Sequence, residues 1–262
     1  MEIGVSTACF YPALTEETLP VIARLGVRLV EVFLNAPSEA DETFCQALKF
    51  RADQLGLEIR SVHTFSGAYE YVNLFSQYPR RRECALMEYR HMARAARILG
   101  ARYITFHGDR KNQPQPASME MYCDSVKRVM DLCREQGVEL TQENVSWCRS
   151  SELEFLRELD RQLGPCGLRY TLDVKQARRA GHSWEEYADI MGKRLANLHL
   201  SDARQGVSCL VPGMGTVDFT RLAKWLHQIQ YQGDALVEVY RDNFTTEEQF
   251  VQGVEFLRIN MQ

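Results

Sequence analysis

The stretch LGARYITFHGD, residues 99 to 109, joins the end of a helical pattern to a short β-rich run. Glycine just past a helix tolerates the left-handed conformation that closes it, so Leu99-Gly100 marks a helix end and the start of a strand. The same arrangement recurs at Gly26, Gly56, Gly137, Gly167, Gly192 and Gly233. With the opening run EIGVSTA, the repeat predicts eight strands separated by helices.

Alternating β and α units in a chain of 262 residues predict an α/β fold, a single (β/α)8 TIM barrel. Parallel strands need helical crossovers, and this length is typical of such barrels. A doubly wound open sheet is the competing fold, but no G-x-G-x-x-G follows the first predicted strand. Because no low-complexity or Pro/Gly-rich linker divides the chain, residues 1–262 are predicted to form one domain.

Composition disfavours nucleic acid and membranes as partners. The net charge of −4 and the pI near 5.9 give no overall field that would attract nucleic acid or an anionic membrane. The eight cysteines include no C-x-x-C pair, which favours free thiols in a reducing cytosol. The sequence shows no signal peptide and no apolar run of the roughly 20 residues that span a bilayer. We therefore expect a soluble cytoplasmic protein, and a homo-oligomer is compatible with the sequence.

Ionisable side chains stand at the ends of six predicted strands: His63, His107, Glu143, Asp173, His199 and Glu238. Each alone is more often a structural histidine or a helix cap than a ligand. Together they would converge at the C-terminal mouth of a barrel, where carboxylates repel one another unless a cation neutralises them. Mixed oxygen and imidazole ligands suit one divalent ion, Mn, Co, Mg or Zn.

Two long segments follow strands at the same end of the predicted barrel, residues 64–80 and 201–218. The first contains five aromatic residues: Phe65, Tyr69, Tyr71, Phe75 and Tyr78. Long loops on one face of a barrel commonly serve as lids or binding walls. The alternative is that these aromatic rings pack onto the barrel rim.

The ordered motifs of the chain resemble the xylose isomerase-like TIM-barrel superfamily, in particular its sugar-phosphate isomerase/epimerase branch. These motifs are VEVF (30–33), SVH (61–63), FHGD (106–109), TQENV (141–145), TLD (171–173), NLHLSD (197–202), PGMGTVDF (212–219) and VEVY (237–240). The resemblance implies a divalent-metal-dependent isomerase or epimerase that acts on a small sugar or related α-hydroxy ketone. A small-molecule sugar is the expected partner, and nucleic acid is not.

In ketose 3-epimerases of this superfamily one metal ion is held by Glu, Asp, His and Glu, positions that Glu143, Asp173, His199 and Glu238 match. The resemblance implies that Glu143 and Glu238 also form the acid/base pair. One carboxylate would remove a carbon-bound proton and the other would return it, through a metal-stabilised ene-diolate.

The same interpretation gives six candidates for substrate binding: His63, His107, Lys175, Gln176, Arg204 and Glu31. Gln176 stands where the family commonly has histidine, and its amide can bind a hydroxyl but cannot shuttle a proton. Lys175 could supply a cation, or could be a solvated loop lysine. Arg204 lies near the position of an arginine that those epimerases use beside the metal.

Two other functions stay open at this point. In the zinc apurinic-site endonuclease branch, His63 and His107 match ligands of a second metal bridged through Glu143, so a two-metal phosphodiester hydrolase is conceivable. Its third metal needs a histidine at the Gln176 position and an Asp-x-His that this chain lacks. The other is a non-catalytic metal or sugar-binding barrel, which would not require two opposed carboxylates.

Overall fold

The eight predicted strands close into one parallel barrel in a computed structural model, which describes residues 1–64 and 69–261. The barrel strands are β1 (Ile3–Ser6), β2 (Leu29–Phe33), β3 (Glu58–His63), β4 (Tyr103–Phe106), β5 (Glu139–Glu143), β6 (Arg169–Asp173), β7 (Leu195–Leu200) and β10 (Asp234–Val237). Their order around the barrel is β1-β10-β7-β6-β5-β4-β3-β2. The predicted fold class is confirmed.

Helices cover the outside of the barrel. Those of the described residues are α1 (Thr15–Arg24), α2 (Glu42–Gln54), α3 (Pro79–Leu99), α4 (Met119–Glu135), α5 (Leu153–Leu163), α6 (Val174–Arg179), α7 (Trp184–Met191), α8 (Phe219–Gln228) and α9 (Glu247–Asn260). Their apolar residues recur at helical spacing, as in α5, which buries Phe155, Leu156, Leu159 and Leu163. Across residues 1–64 and 69–261, the helices are too short or too polar to serve as a membrane span.

The glycine pattern predicted most helix ends, with exceptions at Gly167, which lies four residues beyond the end of α5 at Leu163, and at Gly233. Gly100 closes α3 in the left-handed conformation at φ 76°, as expected. Near Gly233 the helix α8 already ends at Gln228, and the positive φ falls on Gln230. A Cβ on Gly233 would lie 2.6 Å from the carbonyl oxygen of Ala196, so this glycine permits close packing at the start of β10.

Hydroxyl groups fill part of the barrel interior below the mouth. Thr105, Thr141 and Thr171 project from β4, β5 and β6, and their Oγ1 atoms lie 2.8–3.2 Å from one another in a hydrogen-bonded triangle. Because each hydroxyl can both donate and accept, this layer is buried without unsatisfied polar groups. The triangle supports the strand ends that carry the ionisable side chains.

The predicted long segment 64–80 contains helix in its described part, residues 64 and 69–80. A single helical turn spans Glu70–Leu74, and α3 begins at Pro79, so the described part is not a continuous loop. Phe75 is buried and stacks on Tyr122 with ring centroids 4.4 Å apart. It is therefore a core residue rather than a binding wall, whereas Phe65 lies outside the described residues.

The second long segment contains a two-stranded antiparallel hairpin, β8 (Asp202–Arg204) and β9 (Val207–Leu210). The buried Asp202 carboxylate accepts hydrogen bonds of 2.8–2.9 Å from the backbone N–H groups of Ala203, Gly213, Gly215 and Val217. This aspartate explains why the NLHLSD and PGMGTVDF motifs occur together, since the first fixes the backbone of the second beside the mouth.

Candidate metal centre

Four adjacent strands each place one ionisable side chain at the barrel mouth. Glu143 ends β5, Asp173 ends β6, His199 lies in β7, and Glu238 directly follows β10. Because these strands are neighbours and parallel, the side chains form an arc along one wall of the rim. One ligand atom from each of the four lies within 4.8 Å of the others, a spacing that could hold one metal ion.

Unpaired polar atoms in this arc fit a shared cation. Asp173 Oδ2, His199 Nδ1 and Glu238 Oε2 are buried and accept or donate no hydrogen bond, although Asp173 Oδ2 is ion-paired with Lys175 Nζ at 3.1 Å. His199 Nδ1 lies 2.7 Å from Glu238 Oε2 and 3.5 Å from Glu143 Oε1, without the geometry of a hydrogen bond. Buried polar atoms without partners are costly, and a divalent ion bound by three carboxylates and one imidazole would satisfy them.

A bound cation would also stabilise the carboxylates of the arc, whose ionisation is opposed by burial. Burial, together with the nearby carboxylates of Glu143 and Glu238, raises the pKa of Asp173 to about 6, against the opposing effect of Lys175. Burial also opposes ionisation of Glu143 and Glu238. The nearby rings of His199 and His63 hold the pKa of Glu143 low, and the charges of Lys175 and His199 hold the pKa of Glu238 low.

Lys175 is buried, which rules out the solvated loop lysine. Its side chain is 1% exposed, and its Nζ lies 3.1 Å from Asp173 Oδ2 and 3.0 Å from Glu238 Oε1. Nζ also faces the ring of Tyr240, 4.9 Å from the centroid. Burial would lower the pKa of Lys175, but Asp173 and Glu238 hold it well above the usual value. The ammonium is therefore engaged with two of the four arc residues.

Glu31 lies deeper in the barrel than predicted for a substrate contact. It sits within β2, fully buried, and its carboxylate accepts from Ser61 Oγ at 2.6 Å. Its oxygens also lie 3.0 and 3.1 Å from His199 Nε2. A carboxylate behind an imidazole fixes the ring orientation and raises the basicity of the opposite nitrogen. Glu31 is thus placed to direct His199 Nδ1 toward the arc.

A second group lies beside the first and shares Glu143. His63 Nε2 is 3.3 Å and His107 Nε2 is 3.5 Å from Glu143 Oε2, and this trio could hold a metal ion as well. Burial lowers the pKa of His63, but the hydrogen bond and charge of Glu143 outweigh it and raise the pKa to about 9. Burial and the neighbouring His63 lower the pKa of His107 to about 4.

Aromatic rings border the mouth on two sides. Trp147 is 37% exposed and meets His107 edge-on at 5.5 Å, and Tyr71 packs edge-on against Trp147 at 6.3 Å. At the other end of the arc, after β10, Tyr240 is 41% exposed beside Lys175. Tyr71 is therefore one aromatic residue of the predicted lid segment that does reach the mouth.

Two predicted substrate contacts stand further out. Gln176 is nearly buried, and its Oε1 accepts a hydrogen bond from the backbone N–H of Ser146 at 3.1 Å, which ties the loop after β5 to α6. Arg204 is exposed on the hairpin, and its backbone carbonyl accepts from Arg178. Within the described residues the Arg204 side chain makes no ion pair with the four arc residues.

Sequence reasoning missed Glu70, a fully buried carboxylate in the helical turn. Its Oε1 accepts from the hydroxyls of Thr64 and Tyr89 at 2.9 and 2.8 Å. Its Oε2 accepts from the backbone N–H groups of His107 and Gly108 at 3.0 and 2.8 Å. Burial raises its pKa. Glu70 therefore fixes the backbone that carries His107, although nothing in its sequence spacing indicates this.

Replacement of Glu70 is expected to destabilise the fold in proportion to the bonds lost. Glu70→Ala leaves two buried backbone N–H groups and two hydroxyls without partners, and we expect a loss of about 3 kcal/mol of unfolding free energy. Glu70→Gln keeps a carbonyl oxygen for the N–H pair while its amide donates to the hydroxyls, so the loss should be about 1 kcal/mol. Urea unfolding measures both, and equal losses would contradict the assigned contacts.

The protein is a parallel (β/α)8 barrel with ionisable side chains at its mouth. Comparison with known families identifies its family within this class. The chain belongs to the xylose isomerase-like TIM barrel family, whose model matches residues 19–260. The predicted superfamily is thereby confirmed.

Several solved structures share the fold over nearly the whole chain. D-psicose 3-epimerase from Clostridium cellulolyticum H10 is 17% identical, with a TM-score of 0.83 and 100% coverage of both chains. The 3-keto-D-glucoside 4-epimerase of E. coli is 18% identical, with a TM-score of 0.79 and 99% coverage of both. The IOLI protein with a bound zinc atom is 15% identical, with a TM-score of 0.80 and coverage of 100% and 98%. A search of the curated proteins finds no match.

Proposed function

We propose that this protein is a divalent-metal-dependent isomerase or epimerase of a small sugar or related α-hydroxy ketone. The arrangement of Glu143 and Glu238 carries the proposal. They occupy the two ends of the arc, and each directs one carboxylate oxygen toward His199 Nδ1, at 3.5 and 2.7 Å. A substrate carbon held between them would have a carboxylate on either side, which proton removal and return require.

The residues that would hold the metal ion are Glu143, Asp173, His199 and Glu238, and their unpaired atoms support this assignment. Glu31 would orient His199 from behind. A bound divalent cation supplies Lewis acidity that polarises the carbonyl and the adjacent hydroxyl of an α-hydroxy ketone. Three oxygen donors and one nitrogen donor suit Mn²⁺, Co²⁺, Mg²⁺ or Zn²⁺.

The two glutamates are held in the form that accepts a proton. The second oxygen of Glu143 faces His63, and that of Glu238 faces Lys175, so both carboxylates stay ionised. One glutamate takes the proton from the carbon beside the carbonyl, which leaves an ene-diolate. For epimerisation the other glutamate first takes up a proton from water and then delivers it to the opposite face, and for isomerisation the first glutamate returns its own proton to the neighbouring carbon.

The walls of the mouth suit a small polyhydroxylated molecule. Trp147 and Tyr240 are partly exposed at the two ends of the arc, and exposed ring surface can pack against the C–H face of a sugar. His107 carries an Nδ1 atom that is buried and has no hydrogen-bond partner, and Lys175 and Gln176 border the same rim. These polar atoms support hydroxyl recognition. The solved neighbours that are sugar epimerases agree with this substrate class.

Solvent isotope exchange tests the proposal whichever product is formed. The Mn²⁺-loaded protein is incubated in D₂O with a panel of ketoses, and deuterium at carbon next to the carbonyl is followed by NMR. We expect deuterium uptake with at least one ketose, accompanied by an epimer or isomer. Absence of exchange across the panel, in a protein that does bind Mn²⁺, would favour a non-catalytic binding barrel instead.

A second candidate function is a two-metal phosphodiester hydrolase of the apurinic-site endonuclease type. The group formed by His63, His107 and Glu143 supports it, because this group could hold a second metal ion. A glutamate shared by two metal positions is what such a site needs. The third metal of that branch needs a histidine at the position of Gln176, and its absence disfavours the hydrolase. Cleavage of an abasic duplex by the zinc-loaded protein, with no ketose exchange, would select this candidate.

A further inference from the structure

Lys175 is fixed between two proposed metal ligands by local structure. Asp173 caps α6, because its Oδ1 accepts from the backbone N–H of Gln176 at 2.9 Å. This cap places Lys175 in the first turn, where Nζ lies 3.1 Å from the remaining oxygen Oδ2 of the same aspartate. On the other side Nζ donates to Glu238 Oε1 at 3.0 Å, so that Oε2 is the oxygen left toward His199.

The charges of the arc do not balance with a divalent ion alone. Glu143, Asp173 and Glu238 carry three negative charges when ionised, and one divalent cation neutralises two. Glu31 is not one of these ligands, and its carboxylate is stabilised by hydrogen bonds from His199, Ser61 and Asn197. An excess charge in a buried site is costly unless it is paired, and Lys175 is the buried ammonium that touches two of the three carboxylates.

We propose that Lys175 is the internal counter-ion of the metal centre. It is a positioning residue that supplies the positive charge that one divalent ion lacks. It also selects which oxygen of Glu238 faces the metal. The inference rests on the proposed function and extends it, since it concerns the charge balance of the metal-bound site. A loaded site without excess negative charge can accept the negative charge that develops on the substrate.

The proposal predicts opposite effects on the two states of the protein. Without Lys175, Asp173 and Glu238 lose the ammonium that pairs with them in the metal-free arc, which should therefore be less stable. The divalent ion, however, no longer meets a like charge a few ångström away. Residues that contact metal ligands usually raise metal affinity ten- to hundredfold. At the effective dielectric constant of protein sites, the repulsion between Lys175 and the metal ion lowers metal affinity by more than that. Mn²⁺ should therefore bind more tightly.

The test uses the full-length chain and Mn²⁺ alone. Lys175→Met removes the ammonium, and Lys175→Gln removes the charge but keeps a group that can hydrogen-bond. Calorimetric titration at mildly alkaline pH should give at least tenfold tighter Mn²⁺ binding for both, and the metal-free Tm should fall while the Mn²⁺-induced rise in Tm grows. Lys111→Met is the matched control, because Lys111 lies at the same mouth and contacts Ser151.

A variant that folds only when Mn²⁺ is present also supports the counter-ion role. Equal or weaker Mn²⁺ binding in both variants would overturn it, as would failure of both to fold in saturating Mn²⁺. If the wild-type chain itself binds no Mn²⁺, the proposed metal centre fails, which is a different outcome from unchanged affinity in the variants.

Discussion

Glu143→Gln should slow deuterium exchange of a responsive ketose by about 10²–10⁴-fold, the usual contribution of a general base. The amide has nearly the shape of the carboxylate but cannot accept the substrate proton. Glu143 also stands between the two metal-ligating groups, so the rate is compared at saturating Mn²⁺ to separate proton transfer from metal loss. The measurement is the initial rate of deuterium uptake by NMR.

Glu139→Gln is the matched control for this substitution. Glu139 begins the same strand β5 at the opposite end of the barrel, and its side chain is 40% exposed. Its ion pairs with arginine are long and solvent-exposed, so their loss should change neither rate nor stability noticeably. An unchanged exchange rate in Glu143→Gln, or an equal loss in Glu139→Gln, would remove Glu143 from the acid/base pair.

Removal of the metal should abolish the exchange completely and lower the thermal stability. The buried carboxylates of the arc then lose the cation that neutralises them. At a metal concentration 100-fold above Kd, binding stabilises the folded state by about 2.7 kcal/mol. For a chain of this size each kcal/mol shifts Tm by about 2–4 °C, so a rise of several degrees is expected on reloading.

Chelation followed by reloading with single metals provides the measurement. Activity and Tm should return together with Mn²⁺ or Co²⁺, and the order of metals identifies the preferred ion. Full activity in chelated protein that elemental analysis shows to be metal-free would refute a metal-dependent reaction. If activity and Tm recover only with two equivalents of zinc, the result would support a second metal site at His63 and His107 and the hydrolase function.

The barrel could be predicted because its sequence signals are local. A helix end at glycine, a short apolar strand and a polar side chain at the strand end all lie within about ten residues of one another, as from Gly100 to His107. Once parallel strands close into a barrel, their ends meet at one rim, so linear spacing translates into spatial proximity. Glu143, Asp173, His199 and Glu238 were found together for this reason.

Long-range contacts had no such signal. Lys175 looks like any loop lysine in the sequence, and its burial follows from Glu238, 63 residues away, and from the cap formed by Asp173. Glu70 sits among aromatic residues in a segment predicted as a loop, and its partners His107 and Gly108 lie on another strand end. The inward direction of Glu31 became visible only with the register of the closed barrel.

Titration of the metal-free protein with Mn²⁺, followed by calorimetry, tests the central claim most directly. We expect one Mn²⁺ per chain, with binding lost in His199→Ala, which removes a proposed ligand, and retained in Glu139→Gln. No binding by the wild-type chain, or binding that persists unchanged in His199→Ala, would contradict a metal centre formed by Glu143, Asp173, His199 and Glu238.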